Sequence, residues 1–280
     1  MSVVICKLPK AGIGNQLFPL MHSIIFAEIN NLPLIITGYY QLKIGPFIRR
    51  EKTKRNYLGY YNFQKNIGYY IIDLLKIAYL KFRFEQIHEP SISSIQHTEH
   101  KVYIFHKMPS ISDYFIHLRN YRTLTINSFW SILHPGIIKM INNNKWYNIG
   151  VHVRMGDFRK LINNEPYIGG HVRTPEKYFI DTINQIRNKL NRDETVAIYT
   201  DGYRSEFNEL LITSNLVFIE GNPDIVDLVC LSKSKIIITS PSSTFSYWAA
   251  FLSDAKIVQH PEIQHPVINK KLNVDLLDNI

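Results

Sequence analysis

The chain has 280 residues, 45% of them apolar, with 32 Lys and Arg against 23 Asp and Glu for a formal charge of +9. That is enough apolar material for the core of a globular protein of about two ordinary domains. Its longest apolar region, residues 17–37, is interrupted by His22, Glu28, Asn30 and Asn31 and is too polar to span a bilayer. The positive balance favours anionic partners such as nucleotides, phospholipid surfaces or nucleic acid, without choosing among them.

Residues 3–8 read as a first strand, not a signal peptide, because no basic leader precedes the apolar run and no small-residue cleavage site follows it. Gly12-Ile13-Gly14-Asn15 then turns into a helix whose apolar face is Leu17, Leu20, Met21, Ile24 and Ala27, and residues 33–37 form the next strand. The two glycines let backbone amides approach whatever lies at that helix N-terminus. Residues 41–121 give no clear topology beyond an aromatic-rich helical stretch at 69–84. Basic residues crowd at Arg49, Arg50, Lys52, Lys54 and Arg55, with aromatics following to Lys81. Such a stretch suits a membrane surface carrying a lipid-linked substrate, or simply a solvated face.

The second half alternates regularly. Gly150 to Asp157 reads Gly-Val-His-Val-Arg-Met-Gly-Asp, a strand placing His152 and Arg154 on one side and Val151 and Val153 on the other. Thr174 and Pro175 supply an N-cap and first-turn proline for a helix with Phe179, Ile183, Ile186 and Leu190 in one stripe. Strands are expected at residues 195–200, 216–219, 236–239 and 256–259, and helices at 206–212, 223–231 and 245–252. This alternation implies a parallel sheet covered by helices. Cys6 and Cys230 sit in apolar runs and are expected as buried reduced thiols, which suits a reducing compartment.

Three polar clusters therefore fall at strand or helix ends: residues 12–15, 152–157 and 240–245. Arginine can donate paired charge-assisted hydrogen bonds to phosphate. Ser242, Ser243 and Thr244 at a helix start offer hydroxyls, amides and the positive end of the helix dipole, although simple N-capping would also explain them. Metal-binding Asp-x-Asp, H-E-x-x-H and Cys/His patterns are missing, as are the P-loop and the G-x-S-x-G elbow. A diphosphate bound without metal must be neutralised by arginine and oriented dipoles, the arrangement of a metal-independent nucleotide-sugar transferase.

These motifs resemble a known family. His152-Val-Arg-Met-Gly-Asp157 is similar to the H-x-R-[R]-x-D motif of α1,2-fucosyltransferases of glycosyltransferase family 11 and of their α1,6- and protein O-fucosyltransferase relatives. Gly12-Ile-Gly-Asn-Gln-Leu-Phe18 resembles the G-x-G-N-Q-x-F opening, and Pro241-Ser-Ser-Thr-Phe-Ser246 the S-S-T-F segment, preceded by Asp227-Leu-Val-Cys-Leu-Ser232. Residues 40–145 carry little of the likeness. The resemblance implies an α/β protein of GT-B type, two Rossmann-like domains facing across a cleft. Residues 1–140 would form the acceptor side and 141–280 the nucleotide-sugar side. It further implies inverting transfer from GDP-fucose, with no cofactor or metal and no nucleic acid as partner.

Carried over by position, Arg154 would hold the β-phosphate and stabilise departing GDP. His152 and Asp227 would read the nucleoside. Ser242, Ser243, Thr244 and Phe245 would line the donor site, and Gly12, Gly14 and Asn15 would reach toward pyrophosphate and fucose. The family's second arginine is Met155 here, which along a strand would face away from Arg154. Glu165, Asp157 and His22 are candidate bases, each with a structural explanation as well; Asp157 could instead orient the motif loop. The implied acceptor is a glycan, free or lipid-linked, at the cytoplasmic face of a membrane. Rival readings are a different nucleotide sugar, or an RNA- or anionic-lipid-binding protein using residues 49–81.

Overall fold

A computed structural model describes residues 2–95, 100–162 and 165–265. The chain divides into two compact units, one of Met1–Lys43 with Arg55–Ile138, the other of Ile44–Lys54 with Lys139–Ile280. The excursion of residues 44–54 into the second unit is not foreshadowed by the sequence.

The first unit holds a four-stranded parallel sheet in the order β2-β1-β4-β3, formed by β1 (Val3–Lys7), β2 (Leu34–Thr37), β3 (Glu85–His88) and β4 (Lys101–Phe105). Alternation along β1 sends Val3 and Ile5 into a cluster with Ile35, Ile77, Val102 and Ile104. Val4 goes to the other face, with Phe26, Tyr103 and Phe105. Helix α1 (Ile13–Ile29) follows β1, capped by the extended Gly12, and carries Pro19 within it. The short α2 (Gly45–Ile48) lies in the excursion, and α3 (Ile67–Arg83) precedes β3. Strands β3 and β4 fall in the stretch whose topology the sequence left open. Helices α4 (Arg122–Ser131) and α5 (Pro135–Asn143) lead into the second unit.

There, β5 (Ile149–Val153), β6 (Val196–Thr200), β7 (Leu216–Phe218), β8 (Ile236–Ile238) and β9 (Lys256–Val258) form an all-parallel sheet in the order β7-β6-β5-β8-β9. The connecting helices are α6 (Glu176–Leu190), α7 (Glu209–Ile212), α8 (Asp224–Ser232) and α9 (Thr244–Leu252). The chain runs outward from β5 to β7, then returns to add β8 and β9 on β5's other side. The carboxyl ends of β5 and β8 are therefore the switch point where open α/β sheets bind ligands.

Three local expectations are corrected. All five residues of β5 are buried, because a central parallel strand is covered on both faces, so His152 does not lie on an open polar face. The strand ends at Val153, which places Arg154 and Met155 in the loop beyond it. Thr174 is not the cap of α6: Pro175 holds that position without a side-chain bond, and the Thr174 hydroxyl is hydrogen-bonded with Tyr167 Oη at 2.8 Å. Phe179, Ile183 and Ile186 do form the buried stripe. Cys6 and Cys230 are free and buried, and burial pushes both thiols up to about 12.

Candidate functional site

The loop after β5 is built around one guanidinium. Arg154 Nη2 donates to Asp157 Oδ1 at 2.6 Å, and Arg154 Nη1 is ion-paired with Asp201 Oδ2. Asp201 sits just past β6, the neighbour of β5, and its Oδ1 also accepts the Met155 amide at 2.8 Å. From the opposite side, the Arg154 amide donates to Ser240 Oγ at 2.9 Å, just past β8. Three adjacent strand ends thus fix one short loop. Burial disfavours the charge on Arg154, but the two carboxylates outweigh it and its pKa is raised. These bonds run from Nη1 and Nη2, and the planar guanidinium keeps the geometry that suits a phosphate.

Gly156 is small for a reason. A Cβ there would collide with Asp201 Oδ2 and lie 3.5 Å from Arg154 Cζ, so a side chain would wedge the pair apart. Met155 turns into the core beneath, with Val151, Val153 and Ile198. It faces away from the site, as expected of the residue replacing the second arginine.

The serine cluster lies beside this loop. Ser242 adopts φ +59° and its amide donates to Tyr247 Oη at 2.9 Å. Ser243 occupies the N-cap of α9 but makes no side-chain capping bond, so capping does not account for its hydroxyl. Phe245 stacks on His152, with ring centroids 4.7 Å apart and planes at 26°. His152 is 3% exposed, burial pushes its imidazole down to about 3, and its Nδ1 has no hydrogen-bond partner among the described residues. A neutral ring offers one acceptor and one donor nitrogen.

Asp227 lies in the first turn of α8 and accepts from Asn222 Nδ2 at 2.9 Å. Burial raises its carboxyl to about 7, opposed by Asn222 and by Lys52, which the excursion brings to this side of the second unit. Lys52 also pairs with Glu220 at 3.0 Å, and the Arg50 carbonyl accepts from Tyr203 Oη at 3.2 Å. Arg49 pairs with Glu51 at 2.6 Å, and Lys54 Nζ donates to the Glu51 carbonyl at 2.6 Å. Much of the basic cluster is therefore engaged with partners in its own unit.

Two base candidates are placed less favourably. Glu165 stands in an exposed loop paired with Arg159 at 2.5 Å, which lowers its carboxyl and weakens it as a base. His22 is 8% exposed on α1, and burial pushes it down to about 4, with His117 adding to the shift. Gly12, Gly14 and Asn15 belong to the first unit. Their loop is latched by Lys43 Nζ to the Ala11 carbonyl at 2.9 Å and by Gln16 Nε2 to the Pro9 carbonyl at 2.8 Å.

The structure thus unites His152, Arg154, Asp157, Ser242, Ser243, Thr244 and Phe245, and adds Asp201 and Ser240. In the sequence Asp201 is simply the Asp of an Asp-Gly pair directly after the strand expected at residues 195–200. No group of three or more His, Cys, Asp or Glu placed to hold a metal occurs among the described residues.

Comparison with known proteins gives a consistent result. The profile of glycosyl transferase family 11 matches residues 10–266. No curated protein matches the chain. Among solved structures, the fucosyltransferase NodZ from Bradyrhizobium superposes with a TM-score of 0.54 at 13% identity, covering 93% of this chain and 96% of that one. NodZ α1,6-fucosyltransferase soaked with GDP-fucose gives 0.51 at 11%, covering 95% and 98%. POFUT1 in complex with GDP gives 0.51 at 12%, covering 93% and 98%. At such identities the likeness is one of fold, α/β with parallel sheets and GT-B-like.

Proposed function

The chain belongs to glycosyl transferase family 11, and on that footing we propose that it transfers L-fucose from GDP-β-L-fucose to a sugar hydroxyl, with inversion and without a metal. The acceptor we propose is a surface-polysaccharide or O-antigen repeat unit, fucosylated α1,2 on galactose at the cytoplasmic face of a membrane. The observation that carries the donor half is Arg154, a fixed cation at the switch point of a parallel sheet, beside the start of a helix whose N-cap Ser243 makes no side-chain capping bond.

In this reading the acceptor oxygen attacks the anomeric carbon as the bond to the β-phosphate oxygen breaks, through an oxocarbenium-like state. The hydroxyl proton passes to a base, for which Glu165 and His22 are the candidates, or to solvent, and GDP departs with the bonding pair. Arg154 and the amides and hydroxyls of Ser242, Ser243 and Thr244 neutralise the charge that develops on the phosphate. Asp227 accepts from the guanine N–H groups, and the neutral His152 completes the nucleoside site with Phe245 behind it. Asp157 orients Arg154, with Glu165 and His22 left as candidate bases.

Calorimetric titration with GDP, UDP and ADP in EDTA, on wild type and Arg154→Ala, tests this. Selective GDP binding that the substitution reduces by about a hundredfold or more, together with fucose transfer from GDP-fucose, is expected. Equal binding of all three nucleotides would overturn it.

A further inference from the structure

Helix α3 is built the wrong way round for a soluble surface. Its inner face is thin: Ile77 is its one buried residue, Leu80 and Phe84 lean on the same cluster, and the Gly38 amide donates to Tyr70 Oη at 3.1 Å. The outer face carries Ile71, Ile72, Leu75, Tyr79 and Phe82, spaced by helical turns along one stripe. Leu75 is 67% exposed and Phe82 93%. Single exposed apolar side chains are ordinary, whereas a continuous stripe of five marks a surface that something covers.

Charge identifies the cover. Lys76 and Arg83 are exposed along the edge of the stripe. The one acid of the helix, Asp73, is turned away and paired with Lys65 at 2.7 Å. An apolar stripe with aromatic residues, edged by cations and lacking an exposed carboxylate, fits a helix lying in the interface of an anionic bilayer. An antiparallel second copy would instead bring two basic edges together with no carboxylate between them. The helix has 17 residues, and no described helix is long and apolar enough to cross a membrane.

We propose that α3 is an interfacial anchor that seats this chain on an anionic lipid surface through Ile71, Ile72, Leu75, Tyr79 and Phe82. This deepens the proposed membrane-side acceptor by naming the element that meets the bilayer. It does not depend on which nucleotide sugar is used.

Full-length protein is co-sedimented with vesicles of phosphatidylglycerol and phosphatidylcholine in equal parts, and with phosphatidylcholine alone. Wild type should pellet with the anionic vesicles and be released by salt, and Leu75→Glu/Phe82→Glu should cut partitioning by about tenfold or more. The variant must keep the wild-type melting temperature and GDP affinity, which separates a lost anchor from a lost fold and from a failed donor assignment. A second variant, Lys76→Gln/Arg83→Gln, should weaken binding to anionic vesicles only. Wild type left in the supernatant, or vesicle binding indifferent to both variants, would overturn the proposal. So would a lipid-free dimer that Leu75→Glu/Phe82→Glu dissociates.

Discussion

Asp201 holds Arg154 and the loop that carries it with one carboxylate: Oδ2 pairs with the guanidinium and Oδ1 accepts the Met155 amide at 2.8 Å. Because Asp201 follows β6 and Arg154 follows β5, this contact ties the ends of neighbouring strands together. Removing the charge while keeping the acceptor should loosen the guanidinium and not the fold. Asp201→Asn is expected to weaken GDP binding about tenfold, ~1.4 kcal/mol. The effect should vanish in an Arg154→Ala background. Additive losses in that double-mutant cycle would show that Asp201 does not act through Arg154.

Gly156→Ala should do similar damage sterically. Its Cβ would meet the Asp201 carboxylate, an overpacking cost of about 1–3 kcal/mol that is relieved by separating the ion pair. Gly12→Ala is the contrast, since Gly12 has φ −64° and a Cβ there meets nothing within 4 Å. Urea denaturation should register the first substitution and not the second. Equal stabilities would place Gly156 outside this packing.

The pH response should centre on Asp227. Burial raises its carboxyl to about 7, Asp224 adds to the rise, and Asn222 and Lys52 oppose it. Tyr199 and Cys230 are the other titratable groups facing it. A folded-state value above the unfolded one contributes stability at low pH that is lost as pH climbs from the ordinary carboxylate range through about 7. GDP binding runs the other way. A carboxylate that accepts from guanine must be ionised, so affinity should rise through the same window, by up to about tenfold per pH unit. Asp227→Asn should flatten both curves, and a wild-type affinity that ignores pH would remove Asp227 from base recognition.

Glu165→Gln is expected to change turnover by less than about threefold, because its carboxylate is exposed and already neutralised by Arg159. A hundredfold loss in kcat with unchanged donor KM would instead restore Glu165 as the base.

Much of this protein was legible without coordinates. The alternation from residue 149 onward announced a parallel sheet, because central strands are apolar on both faces and helices carry a 3.6-residue stripe. Phe179, Ile183 and Ile186 are all buried, on the face that the 3.6-residue periodicity predicts. The motif loop, the serine cluster and the family likeness were equally visible, since each is a local string. Strands β3 and β4 were not. Glu85–His88 is short and largely exposed, and Lys101–Phe105 becomes a strand by pairing with both β1 and β3.

What only the tertiary structure decided was partnership across long separations. Arg154 meets Asp201 and Ser240, 47 and 86 residues away, because the sheet order makes three strand ends adjacent. No local pattern encodes that order. Lys52 reaches the Asp227 region because residues 44–54 leave one unit for the other. The apolar stripe of α3 reads in sequence like any core-facing helix, and only the fold shows it turned to solvent. A string of residues fixes periodicity and motif. Which face a helix buries, and which carboxylate a cation finds, depends on how distant segments pack.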